Sequence, residues 1–396
     1  MVRDLSSPKR PRVALLIESS RAYGRGLLTG IGRYVREHGP WDLDIEERTI
    51  DDGPSWFGEW SGDGVIARVE SRELDDALRR TRTPAVDVRG THDVNMPVID
   101  TDNCAVAAVA ADHLIQRGFR SFAFCGYGGL NYSRLRKEAF EAFLRKRGLE
   151  VSIYESAARQ RSRLRDLEQQ GLSVEASLVS WLESLPKPVG IMACNDIRGQ
   201  QVIRACRTVD IPVPEAVGLV GVDNDEILCE LSNPSLSSVT PDVHRIGYEA
   251  ARLLHRMMRT GNRSKERVLI PPIGIEARES TSSPAIGDAA VAHALCLIRN
   301  RVNDPLSIDD LARSVSLTRR TLERRFLNLV GRSPNAEIQR VRLERVAELL
   351  RTTDWNLSRV AENAGFAHTE YMSTLFKNKR GETPGAYRTR ARDSAS

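Results

Sequence analysis

Several apolar runs in this chain end on side chains that could hold a small polar ligand. Ser19 and Ser20 follow Val13–Ile17, Asn195 and Asp196 follow Val189–Ala193, and Asp223 and Asn224 follow Val217–Val222. Tyr132 and Arg136 come after the run Ser121–Cys125. Carboxylates accept protons from hydroxyl groups, an arginine donates to two oxygens at once, and a tyrosine ring offers a flat face to C–H bonds. These are the groups that a sugar needs around it. Each also has a structural role open to it: Asn195 or Asp196 could cap the next helix, and Asp223 could order a turn. The recurrence at strand after strand points to a ligand cleft, because open α/β sheets bind ligands beyond the carboxyl ends of their strands.

Catalytic chemistry leaves no comparable trace. No nucleophile stands with a base, so an enzyme is not expected. Asp100 and Asp102 are expected to form a turn and N-cap before a helix over 104–116, rather than a metal site or an acid/base pair. Gly126-x-Gly128-Gly129 is too short for a nucleotide fingerprint and lacks the Lys-Ser/Thr of a phosphate loop. The six cysteines (104, 125, 194, 206, 229 and 296) show no CxxC or CxxH spacing. They read as small buried hydrophobes in a reducing compartment, not as a disulfide framework or zinc site. No metal or cofactor is implied. No signal peptide or spanning segment is visible, so a cytoplasmic location is expected.

Elements must position these residues. From Arg12 to about Glu276 strand-like runs alternate with amphipathic segments, such as Leu27, Ile31, Tyr34 and Val35 on one helical face. That alternation predicts parallel sheets with helices on both faces. The stretch is long for one doubly wound sheet, so two lobes are expected. Lobe 1 is placed at about 12–117 and 241–268, and lobe 2 at about 118–240 and 269–279. Residues 1–11 read as a tail. The small-residue stretch 280–288 reads as a linker.

Beyond the linker the chain is helical and carries one motif twice. Phe326-x4-Gly331-x-Ser333-Pro334 recurs as Phe376-x4-Gly381-x-Thr383-Pro384. Ahead of the copies, Ile308, Leu311, Ala312, Val315 and Leu357, Val360, Ala361, Ala364 each fit one face of a short helix. Short helix, tight turn, short helix is the helix-turn-helix unit, expected at about 307–330 and 357–379. A helix from Pro334, capped by Ser333, joins the two, and its face Leu343, Val346, Ala347, Leu350 is expected to pack on both. Leu322, Phe326, Phe366, Tyr371 and Phe376 are expected in the core. From Ala285 onward there are 19 basic and 13 acidic residues, against a net charge of +5 for the whole chain. The positive excess therefore sits with the duplicated motif, as neutralisation of DNA phosphates would require.

Residues 289–392 resemble the AraC-type DNA-binding domain. The match runs through Leu311-Ala312, Gly331-x-Ser333-Pro334, Arg342-Leu343, Gly365-Phe366 and Gly381-x-Thr383-Pro384-x-x-Tyr387-Arg388. The resemblance implies base-facing residues on the exposed side of each second helix: Arg320, Glu323 and Arg324, then His368, Thr369, Ser373 and Thr374. Arginine can pair with guanine and glutamate can accept from cytosine. Phosphate contact, or an intrahelical partner for Glu323, is the plainer alternative.

The part before the linker resembles the sugar-binding core of LacI/GalR-type repressors and periplasmic binding proteins. Asp102-Asn103, His113-Leu114, Gly118-Phe119, Ala193-Cys194-Asn195-Asp196 and Val220–Asn224 carry that likeness. The order of sugar core then AraC-type domain is similar to the family of xylose operon regulators. Arg21-Ala22-Tyr23, Ile211-Pro212-Val213-Pro214 and Arg278-x-Ser280-Thr281 match it as well. The resemblance implies a sugar-responsive regulator binding double-stranded operator DNA, with D-xylose as effector, activation through RNA polymerase, and a homodimer. The competing expectations are another monosaccharide or phosphosugar, a sugar-transforming enzyme fused to a DNA-binding module, or a transport-type binding protein.

Overall fold

The computed structural model describes residues 10–45, 60–69, 72–90, 96–156, 175–261, 265–282, 285, 287–304 and 306–393. The chain divides into two compact units between Ala285 and Ile286.

The first unit holds two six-stranded sheets among the described residues. Lobe 1 runs in the order β11 (Arg267–Ile270), β5 (Val98–Thr101), β4 (Ala85–Asp87), β3 (Gly64–Ala67), β1 (Arg12–Leu16), β2 (Asp42–Ile45). All its pairings are parallel. Lobe 2 runs β12 (Gly274–Glu276), β10 (Ser237–Thr240), β9 (Val217–Val222), β8 (Val189–Ala193), β6 (Ser121–Tyr127), β7 (Val151–Ser156). Only β12 is antiparallel there. Central strands β1, β3, β8 and β9 are apolar and buried on both faces, as parallel strands covered by helices on both sides must be.

Helices α1 (Ala22–His38), α2 (Arg72–Thr81), α3 (Asn103–Gln116), α4 (Asn131–Arg145), α5 (Ala176–Ser184), α6 (Asp196–Thr208), α7 (Glu226–Glu230) and α8 (Val243–Thr260) complete this unit among the described residues. In lobe 1, α1 and α8 pack backbone to backbone: a Cβ at Gly247 would lie 2.1 Å from the Leu27 carbonyl oxygen. Their apolar faces, with Leu27, Ile31, Leu253 and Leu254, close the core over β1 and β5.

The lobe boundaries differ from those expected. Helix α3 belongs to lobe 2, not lobe 1. Val106, Ala107, Ala110, Ala111 and Leu114 pack with Phe122, Phe124 and Phe140. The chain therefore changes lobe at 101–103, because the helix that follows β5 finds its apolar partners on β6 and α4. It returns at 240–243, and crosses again between Ile270 and Gly274. The linker also begins later than its composition suggests. Glu279–Thr281 form a 3-10 turn, and Ser280 and Thr281 are fully buried against lobe 2.

The second unit contains α9 (Ala289–Asn300), α10 (Ile308–Ser314), α11 (Arg319–Val330), α12 (Pro334–Thr352), α13 (Leu357–Asn363), α14 (Thr369–Arg380) and α15 (Pro384–Asp393). Local chemistry sets the boundaries. Ser307 and Asp310 form a capping box, Thr318, Ser333 and Asn356 each accept from the amide three residues on, and Gly331 and Gly381 end their helices in the left-handed conformation.

Each helix-turn-helix has its own core. Leu311, Leu322 and Phe326 pack with α9 in one; Val360, Met372 and Phe376 pack with Leu343, Val346 and Leu350 in the other. Burying each such side chain contributes about 1.5–3 kcal/mol. The joining helix divides its contacts along its length rather than sharing one face. Ile338 and Val341 serve the first core, and Leu343 onward serves the second. Gly365 (φ +75°) lets the turn of the second helix-turn-helix sit close against the segment after α9: a Cβ there would lie 2.1 Å from the Val302 carbonyl oxygen.

Candidate functional site

A cleft between the lobes, with about 740 Å³ of empty space out to its mouth, lies at the carboxyl ends of both sheets. Lobe 2 supplies Asn131, Tyr132 and Arg136 from α4, Asn195 and Asp196 after β8, and Asp223 and Asp225 after β9. Lobe 1 supplies Arg21 and Tyr23 around the start of α1, Arg68 after β3, Arg89 after β4, and Asp100 and Thr101 at the end of β5. Of the eight residues expected from sequence, Tyr132, Arg136, Asn195, Asp196 and Asp223 meet here.

Ser19, Ser20 and Asn224 do not line it. The loop after β1 turns on itself: the Ser20 hydroxyl donates to Glu18, and Arg25 donates to the Ser19 and Ser20 carbonyls. That turn presents Arg21 and Tyr23 instead. The Asn224 amide is held by Ser238 Oγ at 3.0 Å, and the residue borders a neighbouring depression beside α8.

Arg136 is the hub. It is 4% exposed, and donates to Asn103 Oδ1 (3.0 Å), the Cys194 carbonyl (2.5 Å) and Asp223 Oδ1 (3.4 Å). Tyr132 carries a guanidinium from each lobe over its ring, Arg89 at 4.7 Å and Arg136 at 5.3 Å. Its hydroxyl accepts from Asn195 Nδ2 at 3.3 Å. Asn195 caps α6, accepting from the Arg198 amide, and also lines the cleft.

Asp196 is not a cap. Its carboxylate is buried, accepts from Ser238 Oγ (2.6 Å) and the Asp225 amide (2.8 Å), and so fixes the loop that carries Asp223. Burial, then the Asp223 charge, push Asp196 up to about 8. Burial also raises Asp223, opposed chiefly by Arg136. In lobe 1, burial lifts Asp100 to about 6 against the pull of Arg89, Arg136 and Arg267. Asp87 is lifted to about 7 by burial and accepts from the Val69, Arg89 and Gly90 amides, which builds the turn bearing Arg89. Arg68 is paired with Glu18 at 2.8 Å.

Asp102 caps α3 as expected, whereas Asp100 faces the cleft. Among the described residues no group of three His, Cys, Asp or Glu could hold a metal ion. Arg68, Arg89 and Thr101 were missed by the reading of the sequence, although each ends a strand run by the same rule that found Asp223.

In the second unit, α11 and α14 each follow a tight turn and bury one face. Opposite Leu322 and Phe326, Arg320 and Arg324 are exposed and make no ion pair among the described residues. Glu323 is held by Arg319 at 3.0 Å, the intrahelical alternative. On α14, His368 and Thr374 are exposed, while Thr369 and Ser373 are half-buried. His368 occupies the N-cap without a side-chain cap bond. Leu322, Phe326, Phe366 and Phe376 are core, but Tyr371 is not. It is 51% exposed, its hydroxyl accepts from Gln339, and its ring tilts against Phe366 at 6.1 Å. Met372 takes the buried position one residue on.

Three domain families match this chain: a XylR N-terminal domain over residues 12–109, a periplasmic binding protein-like domain over 111–281, and a helix-turn-helix domain over 311–390. The xylose operon regulatory protein of Escherichia coli K12 is 32% identical over 392 residues, spanning 96% of this chain and 97% of that one.

The chain belongs to the xylose operon regulator family.

The Haemophilus influenzae xylose operon regulatory protein is similar at 31% identity, over 95% of this chain and 98% of its own. A solved structure of a xylose-binding transcription activator, XylR, is 30% identical, superposes with a TM-score of 0.81, and covers 96% of this chain and 98% of that one. The fold and the order of the two units agree throughout that length. These relatives are regulators of transcription rather than enzymes. As a member of the family, the chain is a sugar-responsive, AraC-type transcription regulator with operator DNA and a sugar effector as its partners.

Proposed function

We propose that this regulator takes D-xylose in the interlobe cleft and activates genes for its use. The observation that carries the choice of a neutral sugar is the charge balance of the cleft. Arg68 is matched by Glu18 and Arg136 by Asp223, and the other two arginines of the lining, Arg21 and Arg89, share it with the carboxyl groups of Asp100 and Asp225. A sugar phosphate needs cationic donors left over for it, whereas a neutral pentose needs alternating donors and acceptors. Xylose as the particular sugar, and activation as the sign, are supported by the xylose-binding activator to which the chain is 30% identical.

In this reading Asp223, Asn195, Arg136 and Tyr132 contact the sugar from lobe 2, joined by Arg89, Asp100 and Tyr23 from lobe 1. Asp196 acts through the loop it fixes. Arg320, Arg324, Thr374 and His368 reach DNA, with Glu323, Thr369 and Ser373 beside them. Sugar binding favours one arrangement of the lobes over the other, and DNA affinity follows that population shift. A homodimer, contact with RNA polymerase and a cytoplasmic location complete the proposal. No helix among the described residues is long and apolar enough to cross a membrane.

A thermal-shift panel over pentoses, hexoses and their phosphates tests it, because a ligand bound only by the folded state raises the melting temperature. D-xylose is expected to give the largest shift. A shift with sugar phosphates alone would overturn the neutral-sugar reading.

A further inference from the structure

The segment that leaves the ligand-binding unit is bound into lobe 2 by buried hydroxyls. Ser237 Oγ accepts from the Arg278 amide at 2.8 Å and meets the Thr281 hydroxyl at 2.7 Å. Ser280 donates to the Leu219 carbonyl at 2.6 Å and accepts from the Ser237 amide at 2.8 Å. The Thr281 hydroxyl also meets Nε2 of His113 at 2.8 Å. Further on, the Ala285 amide donates to the Arg117 carbonyl at 3.0 Å. This strap, the segment that leads to the DNA-binding unit, is therefore anchored on lobe 2 at Arg278–Thr281 and again at Ala285.

His113 and Arg117 lie at the C-terminal end of α3. The other end of α3 is in the cleft. Asn103, its first residue, lines the cleft and accepts from Arg136. Asp102, just ahead, donates its amide to the Ile270 carbonyl at the third crossover. Fourteen residues carry the helix about 21 Å between these points. Its packed face mixes small and large side chains, with Ala107, Ala110 and Ala111 lying between Val106 and Leu114. Helix shifts of about 1–2 Å transmit ligand state across packed subunit interfaces; α3 would need a movement of that scale within lobe 2.

We propose that α3 carries the state of the cleft to the strap, and that the His113–Thr281 hydrogen bond is the joint where it is handed over. The inference rests on the regulatory reading above. Burial holds His113 down at about 4. Near neutral pH the imidazole is uncharged, so the joint can re-form in a shifted position with no charge to desolvate. Neither His113 nor Thr281 is among the described residues that line the cleft, so their effect would run through the strap.

The test uses the full-length protein, D-xylose, and a duplex that the wild type enriches from a randomised pool with D-xylose present. Thr281→Val nearly keeps the shape and removes the hydroxyl; His113→Phe keeps a ring without nitrogens; Thr281→Ser keeps the hydroxyl. Calorimetry reads sugar affinity, DNA binding is read with and without sugar, and melting curves report the fold. Thr281→Val and His113→Phe are expected to bind D-xylose within about twofold of wild type, while the sugar's effect on DNA affinity falls from about 5–150-fold to near unity. Thr281→Ser should restore it. A Thr281→Val protein with the full sugar effect on DNA would overturn the joint. So would sugar affinity and melting temperature lost together, which assigns the hydroxyl to lobe stability alone. A wild type whose DNA affinity ignores D-xylose would instead remove the regulatory reading itself.

Discussion

Replacing Asp223 by asparagine probes the cleft with the least disturbance to the fold. Asp223 meets Arg136 at 3.4 Å and keeps 25% of its side chain exposed. The amide preserves its size and one acceptor, and removes the charge that pushes Asp196 up. Arg136 keeps Asn103 at 3.0 Å and the Cys194 carbonyl at 2.5 Å. Stability should change by no more than about 1 kcal/mol, the scale of a partly exposed ion pair. The ligand loses more. A charged acceptor for a sugar hydroxyl contributes about 1.5–3 kcal/mol, which is about ten- to a hundredfold in affinity.

Arg136→Met is the contrast. It strips a partner from Asn103 Oδ1, the Cys194 carbonyl and Asp223 at once, and each orphaned buried acceptor costs about 1–3 kcal/mol. That variant should melt well below wild type before its affinity can be read. The assay is calorimetric titration with D-xylose beside thermal unfolding of each protein. Wild-type affinity in a stable Asp223→Asn protein would refute the assignment, and an unchanged melting temperature in Arg136→Met would refute the hub.

Residues 285–396, expressed alone, should bind DNA with a steep loss of affinity as salt rises; a flat log–log salt plot would contradict the phosphate contacts inferred from the local basic excess. Arg320→Ala or Arg324→Ala should relax preference at one operator position and lose about 1–3 kcal/mol, whereas equal weakening on every sequence would mark a phosphate contact. Gly365→Ala should destabilise that fragment by more than about 1 kcal/mol, since a Cβ meets the Val302 carbonyl in a left-handed backbone conformation; an unchanged melting curve would show that the turn relaxes freely. Asp196 ionises near 8 when folded and near 3.8 unfolded, so the folded state holds the proton longer and this group's stabilisation fades as pH rises from about 4 through 8. Asp196→Asn should flatten that decline in unfolding experiments, and an equally steep profile would move the titration elsewhere.

The chain order of the residues carried a great deal. Fixed spacing defined both helix-turn-helix units, because Leu311, Leu322 and Phe326, and their counterparts Val360, Met372 and Phe376, meet within a few turns of chain. Caps at Ser307, Thr318 and Ser333 are likewise local bargains between a side chain and the next amides. Strand runs such as Val189–Ala193 declared themselves by being apolar throughout. The edge strands β2, β7, β11 and β12 did not, since edge position and mixed burial blur their pattern, and interior β10 did not because Ser237, Ser238 and Thr240 make it polar.

Only the tertiary structure decided which polar ends face the ligand. Asp223 and Ser19 look alike in sequence, each following a buried strand, yet one lines the cleft and the other feeds its carbonyl to Arg25. It also moved α3 into lobe 2, set Tyr371 outside its core, and joined His113 to Thr281 across 168 residues. Sequence spacing governs contacts within a few turns of chain. Contacts between distant segments depend on which sheet a strand joins and which neighbour a helix covers, and these are settled by the packing of the whole lobe.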